Sequence, residues 1–516
     1  MKRRSVIKKQ KQTQKDENSF SAEFDINLKK NIENLKIMLG EPGDLDIREL
    51  SLDEEKHNYA LAYLDGMVDK DLVNKGIIKN LQIISEKKDL PADKKELIDE
   101  IKNNIISVSS VEKTAEWDDM TIDLLGGSTV LFIDGVAEAL VMNTVEFETR
   151  SIEEPESEAL IRGSREGFVE SLQTNMVLVR RQINDPNLRF KMHRVGRRSK
   201  KNLAVTYVEG IVHPDILKEI NRRLETIDMD DAPESGFIEQ WIEDSFLSPF
   251  PQMDNTERPD KVAAAILQGK VAILLDGTPY VLVAPTTLEN HMVSPEDYYE
   301  RWLIGTLLRV LRYIAAFIAM FAPSLYIALI SYHQGMIPSE LAFSVAATRE
   351  GVPFPAFVEA IAMGVTMELL REAGARLPKA IGQTIGIVGG LVIGEASVSA
   401  GIVSPVMVVV TAVTAISSFS IPSYSAAISF RILRFGFMFA AAFLGLYGIV
   451  IVYIMINIHI VNLKSVGVPY AAPFAPGFLY DWKDLVLRVP VPMMTKRPEH
   501  MQTKDSRAGN KGGSST

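Results

Sequence analysis

Between about Leu311 and Val461 the chain carries an apolar block far longer than one soluble core helix, and most of what precedes it is polar. The first run, Leu311 to Ser331, is about twenty residues long and uncharged after Arg312, the length a helix needs to cross roughly 30 Å of hydrocarbon. Two further runs, Ala380 to Ala396 and Ile402 to Ser418, are separated by Gly401 and a few small residues, which predicts a helical hairpin. A last run, Phe435 to Val461, is again of spanning length. Pro323, Pro405 and Pro422 lie in or beside these runs, as membrane helices allow when neighbours satisfy the freed backbone groups. The block predicts an integral membrane protein with four or five helical segments over residues 300–462.

One segment inside the block differs. Pro353 to Lys379 is helical in pattern but carries Glu359, Glu368, Arg371, Glu372 and Arg376, and charge at bilayer depth must face protein or water. Glu359, Ala362 and Thr366 share a helical stripe, with Val358 and Val365 on a neighbouring one. One reading is a pore helix, with Glu359 favouring cations and Val358 or Val365 forming a hydrophobic gate. The alternatives are an amphipathic helix at the membrane surface, or a buried helix whose glutamates pair with Arg371 and Arg376. Next in the chain, Gly382, Gly386, Gly390 and Gly394 repeat every four residues, a spacing that lets another helix approach closely.

Composition narrows the function. A net charge of −10 argues against nucleic acid as the main partner. With no cysteine, neither disulfides nor thiolate metal sites are available, and the seven histidines form no HxxxH or HExxH pattern. No nucleophile–base pair, metal cluster or phosphate loop is evident, so neither enzyme activity nor a cofactor is expected. The first twenty residues lack the apolar core of a secretory signal, which predicts a cytoplasmic N-terminal part. They form instead a basic tail expected to be disordered and able to touch anionic membrane lipid.

The polar half repeats itself. Phe24, Leu28, Asn31 and Pro42 recur 144 positions later as Phe168, Leu172, Asn175 and Pro186, and Tyr63 and Gly66 recur as Tyr207 and Gly210. Asp134-Gly135 recurs as Asp276-Gly277 at an offset of 142, as one short loop deletion would produce. Each copy reads as an amphipathic helix, a strand (Asp46 to Ser51, Arg189 to Arg194), a second strand, a helix and a hairpin turning on Asp-Gly. The expected fold class is an α/β soluble tandem-duplicated N-terminal domain followed by an all-α polytopic membrane domain. The α/β units are expected over 21–152 and 160–295, separated by the acidic stretch Glu153 to Glu158, and the Asp-Gly turns are read as structural. Arg180, Arg181 and the run His193 to Lys201 are read as solvated loop charge, and residues 463–516 as a Pro-rich and then disordered tail. Arg301, Arg309 and Arg312 before the first run favour a cytoplasmic N-terminal side. The side of the C-terminus stays open, because it depends on whether residues 353–379 cross fully.

Three stretches together, EGFVESLQTNMVLVRRQINDPNL (Glu166 to Leu188), GVPFPAFVEAIAMGVTMELLREAGARLPKAIGQTIGIVGGLVIGEASVSAGIVSP (Gly351 to Pro405) and VPYAAPFAP (Val468 to Pro476), resemble the A subunit family of GerA-type spore germinant receptors. The departures are Gly364, where a bulkier residue is expected, and Glu395, where Gln is expected. The resemblance implies a protein of the spore inner membrane with its duplicated domain facing the core. It implies a transporter-like B subunit and a lipoprotein C subunit as partners. It also implies a homo-oligomeric ring, a pentamer, that acts as a nutrient-gated channel for monovalent cations. Against this stand a secondary transporter, which usually carries an inverted repeat among its membrane segments, and a non-conducting scaffold whose soluble part docks partners.

Overall fold

The computed structural model describes residues 24–52, 57–86, 93–146, 154–155, 158, 160–377, 389–390 and 392–509. The basic N-terminal tail, Glu153, Glu156 and Ser157 of the acidic stretch, Gly382, Gly386 and the last residues of the chain lie outside them.

The N-terminal half holds two five-stranded antiparallel sheets of identical order. In the first, β1 (Leu45–Leu52), β2 (His57–Leu64), β3 (Val111–Thr114), β4 (Thr129–Ile133) and β5 (Ala139–Met142) run in the order β1-β2-β4-β5-β3. In the second, β6 (Leu188–Val195), β7 (Lys201–Val208), β8 (Asp254–Thr256), β9 (Val271–Leu275) and β10 (Val281–Ala284) run β6-β7-β9-β10-β8. Successive strand side chains point to opposite faces, so the unbroken apolar run of β4 serves two layers. Val130 and Phe132 pack with Leu28, Leu35 and Trp117 on one face, while Leu131 and Ile133 pack with Ile77, Leu97 and Ile101 on the other.

The repeat is visible in single hydrogen bonds. Asn31 holds Asp25 through both its backbone N–H and its carbonyl, and Asn175 holds Val169 in the same way. The Asp134 carboxylate accepts from the amide of Leu28, and that of Asp276 from the amide of Leu172. Both Asp-Gly turns thereby cap the first helix of their unit, with Gly135 and Gly277 at φ +84° and +94°. The turns are structural, as their sequence suggests.

Arg180 is not solvated loop charge. It is 1% exposed and binds Asp44 of the first unit through Nε at 2.7 Å and Nη2 at 3.0 Å, tying the two sheets together. Helix Leu172–Gln182 buries most of its surface, and Arg180 rides on the face turned to the first unit. Residues 463–509 are not a loose tail either. Lys464–Ser465 pairs with Val468–Pro469, and Val466, Val468 and Met501 join the core on one face of the second sheet. Residues 510–516, where the sequence predicts disorder, lie outside the described residues.

The C-terminal half is a helical bundle. Helices Trp302–Ser331 and Tyr424–Asn462 are long and apolar enough to cross a membrane. The second is a hairpin and not one rod: Gly445 sits at φ 58°, ψ −140° and reverses the chain. A Cβ on Gly448 would lie 2.2 Å from the carbonyl oxygen of Ala440, and Phe430, Leu433, Ile456 and Ile460 meet in one cluster. The expectation of a single spanning run from Phe435 to Val461 is corrected accordingly. Both ends of the hairpin meet the second α/β unit, where Ser429 bonds the carbonyl of Pro249 and His459 bonds Ser248 at 2.8 Å. Its tip meets Tyr332 and His333 at the far end of the first long helix. The C-terminal residues thus return to the side of the bundle on which the sheets lie.

An ionic clamp fastens the start of the first long helix. Asp297 is fully buried between Arg309 at 3.1 Å and Arg312 at 2.8 Å, and Arg309 also binds Asp484 of the C-terminal segment at 2.8 Å. Arg488 donates to the carbonyls of Asp297 and Glu300. Arg309 and Arg312 therefore join three parts of the chain, beyond any part they play as flanking positive charge.

Candidate functional site: the charged helix of the bundle

The segment with charge inside the apolar block forms helix Ala356–Arg376, started by Pro355 and built from strong helix formers. It runs from the far end of the bundle toward the sheets. Its two kinds of surface are sharply divided. Ala356, Ala360, Met363 and Gly364 are buried against neighbours, whereas Val358 (40% exposed), Ala362, Val365 (44%) and Leu369 (65%) form one continuous free face. Thr366 lies at the edge of that face with its hydroxyl on the carbonyl of Ala362.

Glu359 is not on the free face. It is 1% exposed, sits 2.8 Å from Arg349, and accepts from the amide of Ser404 at 2.9 Å. Tyr326 completes this far-end cluster, bonding Ser404 and Arg349 at 3.1 Å each. One residue per 100° of helix places Glu359 about a quarter-turn from Val358, enough to turn it inward. A carboxylate in an apolar bundle is retained only with partners, and Arg349 and Ser404 supply them. Glu359 therefore braces the helix, and the assignment of cation preference to it is corrected. The pairing in the buried-helix alternative holds for Glu368 and Glu372, which pair with Arg371 and Arg376, but not for Glu359, whose partner is Arg349.

At the end near the sheets, Glu368 receives three arginines: Arg434 at 2.7 Å, Arg431 at 3.1 Å and Arg371 at 3.8 Å. Arg371 also bonds Ser418 at 2.8 Å and lies over the ring of Phe419. Arg376 pairs on the surface with Glu372. Gly364 leaves room that Phe435 fills, since a Cβ there would lie 3.4 Å from its ring. Of the glycine repeat, a Cβ on Gly394 would lie 3.6 Å from Val408 in ordinary contact, while one on Gly390 would meet open space. The close approach belongs to Gly389, outside the repeat, whose Cβ would stand 2.9 Å from Leu370.

The sequence missed Arg349, Arg431 and Arg434 as partners. Arg349 precedes the GVPFP turn and is brought to Glu359 only by the fold. Arg431 and Arg434 are one helical turn apart at the start of an apolar run, a signal that two cations share one partner.

Paired α/β units on a bundle whose middle charges are turned inward define an α/β module joined to an apolar helical one. The chain belongs to the GerA family, whose model, described as Bacillus/Clostridium GerA spore germination protein, matches residues 33–500. It is 49% identical over 484 residues to spore germination protein GerLA of Bacillus cereus, covering 94% of this chain and 97% of that one. It is 43% identical over 479 residues to spore germination protein KA of Bacillus subtilis, covering 93% of this chain and 87% of that one. It is also 40% identical over 472 residues to the uncharacterized membrane protein YfkQ of Bacillus subtilis, covering 92% and 91%. Among solved structures it is similar to the N-terminal domain of the A subunit of the Bacillus megaterium spore germinant receptor GerK3. That match has 30% identity and a TM-score of 0.40, covering 51% of this chain and 96% of that one.

Proposed function

We propose that this chain is the A subunit of a nutrient receptor in the spore inner membrane, and that copies of it form a ring enclosing a nutrient-gated cation pore. The paired α/β units face the spore core, and a transporter-like B subunit and a lipoprotein C subunit are its partners. One observation carries the reading. Helix Ala356–Arg376 turns every charge of its middle inward to a partner and leaves Val358, Ala362, Val365 and Leu369 without one. An apolar helix face of this kind gates a pore by excluding water when copies of it converge. A partner that binds nutrient opens the ring through a difference in affinity between the closed and open arrangements.

The test is potassium release from dormant spores carrying the wild-type chain or Val365→Ala, with the partner subunits present. Release without nutrient in the variant is expected. Unaltered nutrient dependence for both Val365→Ala and Val358→Ala would remove this helix from the pore.

A further inference from the structure

Three guanidiniums share one carboxylate where the bundle meets the second α/β unit. Arg371 is 17% exposed by side chain, Arg431 12% and Arg434 5%, and Glu368 is the one acid within ion-pair reach of them among the described residues. Two positive charges are therefore left over in a largely buried place. Burying an unpaired charge is costly, and such an excess persists where an anion completes it.

The unused bonding capacity points the same way. Arg431 spends Nη1 on Glu368 and Nε on the carbonyl of Ala427. Arg371 spends Nη2 on Ser418, while its Nε is buried with no partner. Both arginines line a crevice of about 400 Å³ between the bundle and the second α/β unit. The other cations of that crevice are already compensated: Arg258 by Asp260, Lys261 by Glu158 and Asp254, and Arg312 by Asp297. Phe419 and Tyr424 stand at its edge, 71% and 64% exposed. Exposed aromatic rings beside the start of an apolar helix mark the level of lipid headgroups.

We propose that this crevice is a binding site for the phosphate of an anionic phospholipid, held by Arg371 and Arg431. Guanidiniums match phosphate oxygens in pairs, and basic pockets between membrane helices on the cytoplasmic side take anionic headgroups. The proposal rests on the membrane placement given above. It adds that the helix bearing Val358 and Val365 is anchored at one end by lipid, so that headgroup charge biases its position.

The experiment uses the purified full chain in nanodiscs of phosphatidylcholine, with and without a fraction of phosphatidylglycerol, and reads the melting temperature. Binding to the folded state alone raises stability with lipid concentration. Phosphatidylglycerol is expected to raise the melting temperature, and Arg431→Gln or Arg371→Gln to weaken its apparent affinity at least tenfold. Both variants leave the Arg434–Glu368 pair in place, so folding is expected to be retained. Equal stability in the two lipids, or an undiminished response in both variants, overturns the site. A response reproduced in full by inorganic phosphate keeps an anion site and overturns its assignment to lipid. Loss of oligomer in the variants without any lipid dependence gives the counter-charge to a second copy of the chain and also overturns it. Failure to enter phosphatidylcholine nanodiscs at all would instead count against the membrane reading itself.

Discussion

Asp44 and Arg180 are a buried pair joining two repeats, and removing one partner strands the other. Arg180→Ala is expected to destabilise the chain by about 3–5 kcal/mol, seen as a lower midpoint in denaturant unfolding. The double change Asp44→Leu with Arg180→Met, which leaves no charge behind, should recover most of that loss. Glu239 gives a second prediction at this scale. Burial, with the nearby Glu243 and Asp254 carboxylates, pushes its carboxyl up from 4.5 to about 7. The folded state thus holds a proton that the unfolded state has lost, so stability present below pH 4.5 declines as pH rises toward 7. At one unit per 1.36 kcal/mol, the loss is at most about 3 kcal/mol. Glu239→Gln should flatten this slope, raising the melting temperature at pH 8 while changing it little at pH 4. Equal shifts at both pH values would show that Glu239 is not the group responsible.

At the scale of elements, the hairpin at Gly445 decides the course of the chain. A side chain there would adopt φ 58°, and its Cβ would stand 2.7 Å from the ring of His333. Gly445→Ala should cost about 1–3 kcal/mol of strain, measured as a lower melting temperature of the full chain. The absence of cysteine makes the course itself testable. A thiol introduced by Lys464→Cys should label from the side that holds the α/β units, and one introduced by His333→Cys from the other. Labelling of both from one side would contradict the hairpin as a route across the membrane. This element also shows where sequence reading reached its limit. Strands such as β4 and the Asp-Gly turns were legible because their patterns are local: period two, apolar runs, and a turn that only a few residues adopt; that the two aspartates also cap a distant helix was not. The reversal at Gly445 was not, because a single glycine inside a uniformly apolar run leaves its periodicity unbroken. For the same reason the division of helix Ala356–Arg376 was half legible. Spacing put Val358 and Val365 on one stripe, but whether Glu359 faced a pore or Arg349 depended on a residue ten positions away in another helix.

For the whole molecule, the question is how the soluble units act on the bundle, and the clamp at Asp297 is a direct mechanical link. Asp297 lies on the short turn between the second sheet and the first long helix, and its carboxylate neutralises Arg309 and Arg312 of that helix. Asp484 takes another part of the same guanidinium, and Arg488 holds the Asp297 carbonyl from the C-terminal segment. That segment in turn lends Val466, Val468 and Met501 to the core of the second α/β unit. The unit is therefore joined to the helix along two routes, the direct turn and the returning C-terminal segment, which meet at one carboxylate. Because neutralising it strands Arg312 and leaves Arg309 to Asp484 alone, Asp297→Asn should loosen the junction while leaving both folded parts intact. Calorimetry of the full chain should then resolve separate transitions for the α/β units and the bundle, where one coupled transition is expected for the wild type. If the chain gates potassium as proposed above, release in spores carrying the variant should lose its dependence on nutrient. A single unshifted transition would mean that the packing around the clamp, and not its charges, holds the two parts together.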